Sequence, residues 1–117
     1  MSNLVYLNNK YVNFKDAKIH IEDRGFQFSD SVYEVIKVLN HKLLDIDFHI
    51  RRLKYSTKEL NFNITINKKL LTKIFITLIK KNKLSNGIIY LQITRGLQPR
   101  EHSYKKKSET KYNYIYC

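Results

Sequence analysis

The sequence predicts a small α/β domain of the α+β type, in which two helices pack on a mostly antiparallel sheet. Three observations predict it. Short β-branched and aromatic runs are separated by turn-forming asparagines, one segment repeats its apolar residues at helical spacing, and a later segment alternates apolar with polar residues. With 117 residues and 43% hydrophobic content, the chain is large enough for one hydrophobic core, so residues 1–117 are predicted to form a single domain.

Two hairpins are predicted in the first half of the chain. The first joins residues 5–7 to 11–12 through three polar residues. The second joins the β-branched run 32–39 to 42–44 through an Asn-His pair. The short run 18–21 is a further candidate strand. The predicted sheet segments therefore lie near residues 4–12, 32–44, 87–95 and 112–117.

Two helices are predicted near residues 46–60 and 67–83. Asp45 or Asp47 can cap the first helix, and Asn67 can cap the second. The second helix has an amphipathic pattern, because pairs of adjacent apolar residues recur every four residues. These residues are Leu70, Leu71, Ile74, Phe75, Leu78 and Ile79. Its last turn is rich in lysine, as the helix dipole favours.

The second half continues with a strand, a polar loop and a further strand pattern. Residues 88–94 alternate as a central strand does, residues 96–111 form a polar loop, and residues 112–117 alternate again. The sequence stops within this last pattern, so we expect a truncated domain, cut short or forming one half of a larger protein. The sheet face that would meet a second domain is expected to stay partly apolar.

The net charge of +12 raises the question of a polyanionic partner. Seventeen of the 22 basic residues are lysines in surface-type positions, and Lys, Asn, Ile and Tyr together make up 51 residues, as A/T-rich codons would produce. Nucleic-acid binding is therefore not the preferred interpretation. A basic binding module without catalysis, using the lysines near residues 105–111, stays open as the alternative.

The sequence has no leader pattern and no apolar run of the roughly 20 residues that a membrane span needs. We therefore expect a cytoplasmic protein without a membrane partner. The single cysteine, Cys117, can neither close an internal disulfide nor form a metal site with other cysteines, so no metal site is predicted.

Three separate motifs carry a resemblance to a known family. They are the segment Glu22–Val35 (EDRGFQFSDSVYEV), the segment His49–Leu53 (HIRRL), and the segment Ile89–Gly96 (IYLQITRG) followed by Pro99–His102 (PREH). At this spacing they resemble the N-terminal part of fold-class IV pyridoxal-phosphate-dependent aminotransferases, and the last motif resembles the D-alanine aminotransferase branch. The resemblance implies the small N-terminal domain of that family.

The resemblance also implies roles for individual residues. Arg52 would bind the phosphate of pyridoxal 5'-phosphate, since a guanidinium is a permanently charged fork of donors. Tyr33, Arg100 and His102 resemble the trio that holds the substrate α-carboxylate, the last two being supplied by the neighbouring subunit of a homodimer. Strand alternation would place Val35 on the same face as Tyr33, lining the substrate pocket.

Two features depart from the family. Ser29–Asp30–Ser31 stands where Gly-Asp-Gly is usual, which costs stability wherever a positive φ is required. None of the lysines matches the lysine that forms the Schiff base, which lies in the family's large second domain. We therefore expect no catalytic residue in this chain and no transamination by the chain alone. A complementary C-terminal chain is expected to be required for an amino acid and a 2-oxo acid to react.

Overall fold

The computed structural model describes residues 3–104 and 112–116 as six strands and three α-helices. The strands are β1 (Leu4–Leu7), β2 (Lys10–Asn13), β3 (Ser31–Leu39), β4 (Lys42–Leu43), β5 (Gly87–Thr94) and β6 (Tyr112–Tyr116). The helices are α1 (Arg24–Phe28), α2 (Ile46–Glu59) and α3 (Lys68–Lys81), with a 3-10 turn at Phe14–Asp16. The strands form one sheet in the order β2-β1-β6-β5-β3-β4, and every neighbouring pair is antiparallel. The predicted α+β class is thereby confirmed.

Both predicted hairpins are confirmed, and their turns show why asparagine suits them. Asn8 and Asn9 have φ values of 49° and 69°, and Asn40 and His41 have values of 52° and 64°. Two successive residues in the left-handed region match the twist of an antiparallel pair, and asparagine tolerates that region better than most residues.

The prediction of a strand at residues 18–21 is wrong. All four side chains are exposed, so the segment has no buried face to hold it against a neighbour. Helix α1, of about one and a half turns, was not predicted from the sequence. Asp23 caps it, because its side chain accepts a hydrogen bond from the Gly25 amide at 2.8 Å.

The two long helices begin and end close to the predicted positions. Asn67 caps α3 as predicted, with its side-chain oxygen accepting from the Leu70 amide at 3.1 Å. Asp45 occupies the N-cap position of α2, but its backbone is left-handed and its side chain accepts no capping bond. Asp47 lies in the first turn of α2 and pairs with Lys68 instead. The predicted side-chain cap of α2 is therefore wrong.

A single hydrophobic core lies between the sheet and helices α2 and α3. Its fully buried members come from β3, α2, α3 and β5: Ile36, Val38, Leu53, Phe75, Leu78, Ile89, Leu91 and Ile93. Burying side chains of this size supplies about 1.5–3 kcal/mol each, the main favourable contribution to folding. No helix among the described residues is both long and apolar enough to traverse a bilayer.

Strand β3 separates two faces with different surroundings. Val32, Ile36 and Val38 are buried, and Glu34 shares their face with 2% exposure. The opposite, open face carries exposed apolar side chains, as expected: Tyr33, Val35 and Leu39 from β3, with Ile88 from β5 and Tyr116 from β6. The candidate site is built around this division.

Candidate functional site

A cluster of three polar side chains joins β3 to α2. The Glu34 carboxylate accepts two hydrogen bonds from Arg52, from Nε at 2.8 Å and from Nη2 at 2.7 Å. It also contacts Nδ1 of His49 at 2.7 Å. His49 and Arg52 lie three residues apart, so α2 presents both side chains on the same face. A bidentate pair of this kind fixes the guanidinium in orientation as well as in position.

The charge of Glu34 is maintained by its partners. Burial by itself raises the pKa of Glu34, but the hydrogen bonds from Arg52 and His49, helped by the Arg52 charge, outweigh burial and hold that pKa below its usual value. The same carboxylate raises the pKa of Arg52, with a smaller effect of the Tyr33 phenol in the same direction. Glu34 is therefore ionised at neutral pH, and Tyr33 lies within electrostatic reach of the guanidinium.

Arg52 keeps donors available for a further ligand. Two of its five N–H groups bind Glu34, the other three have no hydrogen-bond partner among the described residues, and the side chain is 55% exposed. Its guanidinium carbon also lies 5.9 Å from the centre of the Phe48 ring. An exposed guanidinium that is held in one orientation can donate to the oxygens of a phosphate group.

Tyr33 and Val35 lie on the open face of the sheet, as alternation predicted. Tyr33 stacks beside Tyr90, with ring centres 6.2 Å apart and an interplanar angle of 20°. Val35 is paired with Tyr90 in the strand register. Both predicted substrate-side residues are exposed, Tyr33 at 64% and Val35 at 39%, so this face can contact a ligand.

Arg100 and His102 lie in the loop after β5 and contact the same aromatic ring. The guanidinium carbon of Arg100 is 5.5 Å from the Phe28 ring centre, and the His102 ring centre is 5.7 Å from it. Both side chains are exposed. Among the described residues, no hydrogen bond, ion pair or ring contact joins Tyr33 to either of them. The predicted carboxylate trio is therefore not assembled within one copy of the chain.

Two acidic residues that organise the site, the buried Glu34 and the partly buried Asp30, were not predicted from the sequence. Glu34 lies within the Glu22–Val35 motif, and its role follows from two partners on α2, His49 and Arg52. Asp30 lies between two serines of the same motif. Its carboxylate contacts two buried arginines, and strand alternation carries no signal for such a contact, because it depends on tertiary packing.

The Ser29–Asp30–Ser31 turn behaves differently at its two serines. Ser29 ends α1 in the left-handed region, with φ of 54° and ψ of 28°. Ser31 lies in β3 and is not among the residues with positive φ. The expected strain from replacing glycine is therefore present at Ser29 alone.

Comparison of this fold with solved structures points to one architecture. The chain superposes on the branched-chain amino acid aminotransferase of Escherichia coli with a TM-score of 0.90 at 22% identity, over 99% of this chain and 39% of that one. At this level of identity the match establishes the fold, which is that of the N-terminal domain of that enzyme.

Sequence comparison then identifies the family. The model for amino-transferase class IV matches residues 31–116. The D-alanine aminotransferase of Staphylococcus epidermidis is 38% identical over 100 residues, covering 86% of this chain and 36% of the relative. The D-alanine aminotransferase of Listeria monocytogenes is 41% identical over 99 residues, covering 84% and 34%. The chain therefore belongs to the class IV aminotransferases, as their N-terminal part, and it spans about a third of the length of these relatives.

Proposed function

We propose that this chain is the cofactor-phosphate and substrate-carboxylate side of a D-alanine aminotransferase-like enzyme. The intact enzyme would move an amino group between a D-amino acid and a 2-oxo acid. The identities of 38% and 41% to two D-alanine aminotransferases support this substrate class. The observation that carries the proposal is the exposed Arg52 guanidinium, held by the buried Glu34 carboxylate, with three donors that bind no other described residue.

The class IV family depends on pyridoxal 5'-phosphate, which supplies an electron sink for the bond-breaking step when it is bound. Arg52 is the residue of this chain that would hold its phosphate. Glu34 would hold the guanidinium in one orientation before the phosphate binds, so less conformational entropy would be lost on binding. His49 would complete the support, since its Nδ1 contacts the same carboxylate at 2.7 Å.

Tyr33, Val35, Arg100 and His102 form the proposed substrate side. A carboxylate held by one cation and two directional donors has a single way to present its Cα hydrogen, which is how positioning contributes to rate. Arg100 and His102 would act on the site of a second copy in a homodimer. In support of that arrangement, Arg100 and His102 contact Phe28, and Tyr33 contacts Tyr90, within the described part of one copy.

The chain by itself is proposed to be inactive. In the family the lysine that carries out the proton transfer lies in the large domain, and the residues matched here account for 36% of one relative and 34% of another. We propose that residues 1–117 form one domain, equivalent to the small N-terminal domain of the family, which works in the cytoplasm and needs the family's large domain for turnover. No lysine of this sequence matches the family's Schiff-base position.

The test uses a joined enzyme, in which this chain is fused after Cys117 to the large domain of the Staphylococcus epidermidis relative. We expect the joined enzyme to convert D-alanine and 2-oxoglutarate with added pyridoxal 5'-phosphate, and the chain alone to show no turnover. Activity of the chain alone would contradict the requirement for a large domain. An inactive but folded and cofactor-loaded joined enzyme would contradict the proposed reaction.

The alternative basic module is tested on the chain alone. Its proposed lysines, near residues 105–111, lie outside the described residues. Titration with a nucleic acid at two salt concentrations is expected to show weak binding. Tight binding with a steep dependence on salt would favour the module over the aminotransferase.

A further inference from the structure

A second ionic cluster lies below the loop that carries Arg100 and His102. One oxygen of Asp30, Oδ2, accepts from Nε of Arg24 at 2.8 Å and from Nε of Arg95 at 2.7 Å. Both arginine side chains are 4% exposed and Asp30 is 12% exposed. One carboxylate therefore faces two guanidinium groups, and the buried group carries an excess positive charge. Such a charge is costly to bury unless further acceptors surround it.

Backbone carbonyl groups from two segments provide those acceptors. Arg24 donates from Nη1 to the Glu101 carbonyl at 2.6 Å and from Nη2 to the His102 carbonyl at 3.3 Å. Arg95 donates from Nη2 to the Leu60 carbonyl at 2.6 Å, immediately after α2 ends at Glu59. The cluster thus connects the loop that carries Arg100 and His102 to the end of α2, the helix that carries Arg52.

Residues 99–104 are attached by hydrogen bonds from Arg24 and by the Tyr104 ring, whose centre lies 3.6 Å from the guanidinium carbon of Arg95. Within the described part of the chain, these residues make no backbone-to-backbone hydrogen bond with another segment. The two bonds from Arg24 are the side-chain hydrogen bonds that reach them there. Arg24 also stacks on Phe28, with its guanidinium carbon 4.6 Å from the ring centre, and Arg100 and His102 contact the same ring.

We propose that Arg24, held by Asp30, is a positioning residue for Arg100 and His102. It holds the carbonyl groups of Glu101 and His102 and the Phe28 ring that the Arg100 and His102 side chains contact. The loop therefore presents the carboxylate-binding pair in one geometry instead of many, which lowers the entropy lost when substrate binds. This inference rests on the proposed function, because it assumes that Arg100 and His102 contact substrate.

The first experiment measures loop order in the chain alone by ¹⁵N relaxation. In the wild type, we expect residues 100–103 to have order parameters near those of rigid backbone, roughly 0.85. In Arg24→Gln, we expect them to fall below about 0.6, while helix α3 and strand β5 keep their values. Arg24→Lys keeps a charge for Asp30 but cannot reach two carbonyl groups at once, so it should give an intermediate value. Arg51→Gln, on the exposed face of α2, is the matched control and should change nothing.

The second experiment measures steady-state kinetics in the joined enzyme. We expect Arg24→Gln to raise KM for both D-alanine and 2-oxoglutarate about tenfold or more, with kcat changed less than about threefold. The dissociation constant for pyridoxal 5'-phosphate should not change, because Arg52 is untouched. A loss of stability alone would weaken cofactor binding together with substrate binding, so this combination distinguishes positioning from a structural role.

Each remaining outcome overturns one statement. Unchanged loop order in Arg24→Gln, or a disordered loop with an unchanged KM, overturns the positioning role. Complete unfolding of both Arg24 variants also overturns it, because the cluster would then hold the domain and not the loop. A wild-type joined enzyme that binds cofactor but lacks activity refutes the proposed function, whereas the relaxation measurement still decides whether Arg24 orders the loop.

Discussion

Replacing Ser29 by glycine should stabilise the domain, because Ser29 is held in the left-handed region at φ 54° and ψ 28°. The left-handed region destabilises a residue with a Cβ atom by about 1–2 kcal/mol. Glycine avoids that steric cost, but its larger loss of backbone entropy on folding costs about 0.5–1 kcal/mol. The Ser29 amide donates to the Arg24 carbonyl, a backbone bond that the substitution keeps. The net gain is about 0.5–1 kcal/mol, or roughly 2–5 °C in Tm for a domain of this size.

Ser31→Gly is the matched control, since it also restores a glycine that is usual in the family. Ser31 is a strand residue, and its hydroxyl accepts from Nε2 of Gln92 at 2.9 Å. Glycine there removes that bond and adds flexibility to the unfolded chain, at a cost of about 1–2 kcal/mol. Urea unfolding of both variants should give changes of opposite sign. A Ser29→Gly variant less stable than the wild type would refute the strain at this turn.

Three further predictions concern stability. The depressed pKa of Glu34 contributes stability that is present above its unfolded pKa of about 4.3 and is lost as pH falls through the lower folded value. Glu34→Gln should therefore make the free energy of unfolding depend less on pH in that window. An unchanged acid-unfolding transition would contradict the ion pair. Gly25→Ala should lower the free energy of unfolding by about 1–3 kcal/mol, because a Cβ atom would overlap the methyl group of the buried Thr94. Gly87→Ala should lower it less, because its Cβ atom would meet the flexible side chain of Leu84. Equal losses of the two variants in denaturant titrations would refute this. Asn67→Ala should cost about 0.5–2 kcal/mol through loss of the α3 cap, and a Tm within error of the wild type would show that the cap contributes nothing.

The sheet and the long helices could be predicted from the sequence because their signals are local. The alternation of residues 88–94 and the apolar repeat of α3 report which side chains are buried without knowledge of the rest of the fold. The two hairpins were found because asparagines occupy the turn positions where the structure has positive φ. The strand predicted at residues 18–21 does not form, although the segment contains β-branched residues, because all four of its side chains are exposed.

The interior ionic contacts could not be predicted, because they join residues far apart in sequence. Glu34 reads as a polar residue in an apolar strand, and its role appears only when α2 brings Arg52 to it over a separation of 18 residues. Asp30 meets Arg95 over a separation of 65 residues. The resemblance to the family predicts roles for exposed residues, whereas the contacts of the Glu34 and Asp30 carboxylates appear only in the packed structure.

The most direct measurement compares the affinities of the joined enzyme for pyridoxal 5'-phosphate and for pyridoxal, which lacks the phosphate. If Arg52 binds the phosphate, Arg52→Gln should weaken binding of the phosphorylated form about tenfold or more and leave pyridoxal binding unchanged. The neighbouring variant Arg51→Gln should alter neither. Equal weakening of both compounds, or no weakening in Arg52→Gln, would contradict the assignment of this guanidinium to the cofactor.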